Sequence, residues 1–127
     1  MSMDDELKKQ LFDKLVSLLK SYEGTLEVRS ATDKAYDLYG KKKVTVGKRD
    51  YDGLYFASSI IQKNFTGFYF FPIYTHPEEF KDIAPELKKC LKGKSCFHMK
   101  KDDPLLFEQI KNILNKGFQL YKEKGLI

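Results

Sequence analysis

Apolar positions recur at steps of three and four near both ends of the chain and at steps of two between them. Leu7, Leu11, Leu15, Leu18 and Tyr22, widened by Phe12 and Leu19, predict one amphipathic helix of about five turns. Asp4, Asp5 and Glu6 stand at its start, where the helix dipole favours negative charge, and Gly24 follows its end in the place of a left-handed cap. A second stripe, Leu106, Ile110, Ile113, Leu114, Gly117, Phe118 and Tyr121, predicts a long C-terminal helix. Asp103 and Pro104 supply its cap and first-turn proline, and it ends before Gly125.

Between these stripes the period changes. TLEVRS from Thr25 and KKVTVGK alternate as strands do, with a turn read at Asp52-Gly53. Residues 54–62 and 65–74, rich in β-branched and aromatic side chains and joined at Lys63-Asn64, predict a hairpin. Pro77 and Pro85 each suit a first helical position and forbid one continuous helix. HPEEFKDIAPELKKCLKG is therefore expected to make a short turn from Pro77 and a second helical piece over 85–91, stopped by Gly93. Strand propensity returns in KSCFHMKK. The order predicts an α+β two-layer sandwich: an antiparallel sheet of about five strands with the N- and C-terminal helices packed on one face. No linker or repeat divides residues 1–127, which read as a single domain.

Alternation also assigns faces. Leu54, Phe56, Ser58 and Ile60 are expected toward the helices, and Tyr55, Ala57, Ser59 and Ile61 away from them. In the last strand Phe97 and Met99 should turn inward, leaving Cys96 and His98 outward. The far face would then carry Tyr55, Ile61, Gly67, Tyr69, Phe71, Cys96 and His98, with a shallow gap at Gly67. A sheet face bare to water is normally polar. One lined with rings implies a second layer: a partner subunit, a ligand, or the chain's own residues 31–50 or broken helix. A homodimer through this face is the simplest case.

Charge and chemistry narrow the reading. The net charge is +5, with lysines in two clusters. Lys88, Lys89, Lys92 and Lys94 are the candidates for holding a polyanion, although lysines also protect strand edges from unwanted pairing. Nucleic acid is disfavoured, because FTGFYFFPIY places Thr66 where an RNA-recognition strand carries Lys or Arg before the glycine, and the helix order differs. Cys90 and Cys96 read as free thiols, and with His98 they match no zinc-ligand spacing. Side chains two apart on a strand stand ~7 Å apart, too far for Cys96 and His98 to act as a directly bonded nucleophile pair. No nucleotide-binding loop or metalloprotease motif is present, so a binding or interaction domain with no cofactor is expected rather than an enzyme. No apolar run approaches the ~20 residues of a membrane span. The opening MSMDDELKKQLF lacks the basic-then-apolar order of a secretion signal, so a cytoplasmic location is expected.

KNFTGFYFFPIY followed by APELKKCLKGKSCFHMK resembles the YdhG-like domain family of unknown function. The matching positions are Lys63, Asn64, Phe68, Pro72, Tyr74, Pro85, Leu87, Lys88 and residues 93–97, within a similarity covering roughly residues 50–122. Ala84 departs from the family's capping Ser, and His98 from its Asn. The resemblance implies a frataxin-like arrangement of two helices on one antiparallel sheet. It also implies an alternative function, iron delivery, for which Asp4, Asp5 and Glu6 are the candidate ligands. Lys8, Lys9 and Lys14 dilute that acidic turn.

Overall fold

The computed structural model describes residues 4–127; residues 1–3, part of the segment read against a secretion signal, lie outside it. In chain order the elements are α1 (Asp5–Lys20), β1 (Ala35–Tyr39), β2 (Lys43–Val46), β3 (Arg49–Asp52), β4 (Tyr55–Ile61) and β5 (Thr66–Phe70). There follow α2 (Pro72–Thr75), a 3-10 turn (Pro77–Phe80), α3 (Pro85–Lys88), β6 (Leu91–Lys92), β7 (Cys96–Met99) and α4 (Pro104–Glu123). α4 begins where the sequence places its cap, and α1 begins within the acidic run read at its start. Asp4 accepts from the Glu6 amide and Asp103 from the Leu105 amide, each at 3.0 Å.

The result is an α+β two-layer sandwich. Strands β1, β4, β5, β7 and β6, in that spatial order, form one antiparallel sheet. The two long helices lie side by side on one face of it, the Tyr22 ring 4.8 Å from that of Phe118 at their junction. Leu11, Leu15 and Leu19 of α1 and Ile110, Leu114 and Tyr121 of α4 are buried against Phe68, Phe70, Phe97 and Met99. Each such side chain contributes ~1.5–3 kcal/mol of gross burial. Gly117 lets α4 approach closely, since a Cβ there would stand 2.6 Å from Phe70 Cζ. Lys8 is buried too, its ammonium donating to the Gln62 and Lys63 carbonyls at 3.2 and 3.0 Å and so fastening the β4–β5 turn to α1.

Four sequence expectations are corrected. TLEVRS is not a strand. Glu27 and Tyr39 exchange one pair of backbone bonds, but the Asp37 carboxylate then accepts from the amides of both Arg29 and Ser30 at 2.9 Å, taking the donors a ladder would need. The edge strand is instead β1, in a stretch that had been counted as possible cover. The stretch read as a turn at Asp52-Gly53 is strand up to Asp52: β2 and β3 form a separate hairpin that reverses at Gly47 (φ +63°), and the chain bends again at Gly53 (φ +89°), both values suited to glycine. Strand β5 stops at Phe70, because Pro72 starts a helical turn. The helical piece expected over 85–91 ends at Lys88, and Leu91–Lys92 pair with β7 as the other edge.

The parity of β4 also changes midway. Leu38 pairs with Ala57 but Tyr39 pairs with Tyr55, so Phe56 is a bulge residue with no partner on β1. The Phe56 ring meets Tyr22, Phe118 and Tyr121 under the helices. Ala57, fully buried, pairs with Phe70 on the same side. Every later residue of β4 therefore swaps faces relative to simple alternation. Ser59 donates to the Phe12 carbonyl of α1 at 3.4 Å, and Ile61 pairs with Thr66, whose hydroxyl donates to the Lys8 carbonyl at 2.8 Å. Ala57, Ser59 and Ile61 thus lie on the helix face, while Ser58 and Ile60 turn away. Among the described residues no helix is long and apolar enough to cross a membrane.

Candidate binding face

The bulge leaves two rows of side chains across the face opposite the helices. Asp37, Ser58, Tyr69 and Cys96 stand opposite one another on β1, β4, β5 and β7, and Ile60, Gly67 and His98 form the next row. Tyr55 and Tyr39 continue the face at one end, with Phe71 just beyond β5. Of the seven residues expected here, Tyr55, Gly67, Tyr69, Phe71, Cys96 and His98 are on this side. Ile61 is not, for the reason just given.

The rings are not scattered. Tyr39, Tyr55, Phe71 and Tyr74 form a chain with centroid separations of 5.0, 5.5 and 5.2 Å. At the other end Phe65 and His98 lie flat on each other, centroids 3.6 Å apart at 10°. Between them the shallow gap expected at Gly67 is closed: the Tyr69 ring folds over it, so that a Cβ at 67 would come within 2.6 Å of Tyr69 Cε2. Gln62 Nε2 holds that ring by donating to the phenol oxygen at 2.9 Å. Tyr55 and Ser58, brought to one side by the bulge, share a hydroxyl hydrogen bond. The loop that could have covered this face does so only in part. Strands β2 and β3 pair only with each other, but Val44, Val46 and Tyr51 pack against the core, and Tyr51 reaches the edge of Phe71, with ring centroids 6.3 Å apart.

The thiols, the imidazole and the phenols Tyr55 and Tyr69 are tuned toward their neutral forms. Burial pushes the Cys96 thiol up, partly offset by its hydrogen bond with Tyr69. Burial likewise raises Cys90, against the pull of Lys101 and Lys92. Both thiols stay protonated at neutral pH and are poor nucleophiles. Burial lowers His98, with Lys100 and Lys92 adding to the effect, so its imidazole is uncharged near pH 7. Tyr55 is held far above the ordinary phenol value by burial. Apart from the Asp37 carboxylate, which accepts from the Arg29 and Ser30 amides, the face offers flat, neutral, half-buried surface with hydrogen-bonding edges.

The remaining candidates are dispersed. Asp4 is engaged as a helix cap and Asp5 pairs with Lys8 at 3.1 Å. Among the described residues no three His, Cys, Asp or Glu side chains gather as metal ligands. Lys88 and Lys94 line a groove of about 450 Å³ beside Tyr74, whereas Lys89 and Lys92 line another of about 570 Å³ beside Cys90 and His98. As residues of this face the sequence reading left out Tyr39, Phe65 and Tyr74, and it turned Ser58 toward the helices. Phe65 shares the alternation of Gly67 and Tyr69 and could have been found from it. Tyr39 could not, since β1 went unrecognised. No protein-family model, curated protein or solved structure matches the chain.

Proposed function

We propose that this protein is a binding domain that works through the sheet face opposite its helices and performs no covalent chemistry there. One observation carries the reading: about ten half-buried or buried side chains, six of them aromatic rings, line the face opposite the two long helices. Kinship with the YdhG-like family belongs to the same proposal and rests on the residues quoted for it. Iron delivery is not favoured by any placement of Asp4, Asp5 or Glu6. The homodimer expected from the sequence is one form of the reading, with a second copy as the occupant.

Sedimentation across a concentration series tests the dimer, and an amide and aromatic NMR titration with indole tests the face itself. The expected result is a set of shifts confined to Tyr39, Tyr55, Phe65, Tyr69, Cys96 and His98, or a dimer broken by Tyr69→Lys. A strict monomer whose far-face signals stay unmoved by indole contradicts the reading.

A further inference from the structure

The rim of this face is charged, and at the β6 edge the balance is positive. At the β6 edge the 570 Å³ groove is lined by Lys89, Cys90, Lys92, His98, Lys100 and Lys101. Two acids also line it. Glu86 accepts from Gln109 Nε2 at 2.8 Å, and Asp103 caps α4 and lies 3.9 Å from Lys101. Four ammonium groups against two carboxylates leave a net charge of +2 (4 − 2) around the groove. Among the described residues Lys89, Lys92 and Lys100 have no carboxylate within the 4.0 Å of an ion pair.

His98 joins this groove to the sheet. Its ring lines the groove and lies flat on Phe65, one strand over. At the opposite end the chain of rings also ends on cations: Arg29 sits 4.3 Å over Tyr39 and Lys94 5.6 Å over Tyr74. Arg29 is itself paired with Glu27 at 3.1 Å, so the stronger anion site is the lysine groove.

An occupant must therefore present flat rings and negative charge together. A second copy of the chain supplies rings but brings Lys92, Lys94 and Lys100 toward their own likeness in a molecule of net charge +5. An acidic peptide supplies charge without stacking surface. Single-stranded nucleic acid supplies both, and recognition by stacking platforms beside a basic groove is sequence-tolerant. Resting on the sheet-face reading above, we propose that the protein binds single-stranded nucleic acid, with bases stacked on Phe65–His98 and phosphates held by Lys89, Lys92 and Lys100. The sequence disfavoured nucleic acid because it shows no RNA-recognition motif. It does not show that the lysines and the rings adjoin.

The test is fluorescence anisotropy with a labelled oligo-dT of about ten nucleotides, with thymidine monophosphate, duplex DNA and inorganic polyphosphate as competitors. Circular dichroism melts confirm that each variant is folded. Binding is expected to weaken steeply with salt. Lys92→Glu/Lys100→Glu should cost about ten-fold or more and flatten the salt slope by about two phosphate contacts. His98→Ala should cost about ten-fold with the slope unchanged, because it removes stacking and not charge. Polyphosphate competing as well as the oligonucleotide, with His98→Ala neutral, would overturn the proposal in favour of charge alone. Thymidine monophosphate competing as well as the oligonucleotide overturns it in favour of a small-ligand groove, and duplex competing equally well removes the stacking claim. If no nucleic acid binds while indole still shifts the far-face signals, the partner class is wrong and the face reading survives. If neither binds, both fail.

Discussion

Single residues decide which side of the sheet is which. Phe56 and Ala57 both point under the helices, and that one doubled position carries Ser59 and Ile61 inward and Ser58 outward. Alternation read from sequence has a period but no marker for a skipped step, so everything up to Phe56 was legible in β4 and everything after it was inverted. The β5 and β7 assignments held because neither strand contains a bulge: Phe68, Phe97 and Met99 are fully buried, and Tyr69, Cys96 and His98 are not. Gly117 is the residue on which the layers close. Alanine is the better helix former, by about 1 kcal/mol, yet its Cβ would meet a fully buried Phe70 ring at 2.6 Å. Gly117→Ala is expected to destabilise the fold by ~1–3 kcal/mol, read as a lower urea midpoint at unchanged slope. A neutral or stabilising outcome would show that α4 can slide without cost.

At the scale of elements, the long helices were readable because stripe and start agree for each, although α1 stops at Lys20, capped by Ser21 and short of the Gly24 read as its cap. The strands were readable only where hydrophobic content is high. β1 (AYDLY) carries an acid in its centre and was missed, while TLEVRS alternates acceptably yet loses its ladder to the Asp37 side chain. The β2–β3 hairpin stands apart from the sheet, and its two ends lie together, with the Gly53 amide donating to the Lys42 carbonyl at 3.1 Å. Joining Lys42 to Gly53 through a Gly-Ser link should therefore leave a chain that still unfolds in one cooperative step. The link removes Tyr51 from the edge of Phe71 and should make the Phe71 ring more reactive to the indole probe. Loss of cooperativity would mean that the hairpin is part of the core.

Across the whole molecule the pH response follows from tyrosines held neutral. Tyr36, Tyr55 and Tyr121 all lie well above the ordinary phenol value, mainly through burial, with the Glu23 carboxylate adding to the effect at Tyr36. The folded chain thus keeps protons that the unfolded chain releases near pH 10. The stability these groups contribute is complete below that value and is lost as pH rises above it. His76 and His98 are shifted down, so their contribution is present above pH ~6.5 and declines as pH falls below it. Melting temperature should peak near neutrality, sag gently in mild acid and fall steeply in strong alkali, less steeply in Tyr121→Phe. A melting temperature that stays level above pH ~10 would mean that these phenols are solvated. The central claim concerns accessibility, and a soluble gadolinium chelate reads it directly by NMR. The ring signals of Tyr69 and His98 and the amide of Cys96 should broaden while those of Phe68, Phe97 and Ser59 stay sharp; equal protection of both sets would show that the sheet has no open face.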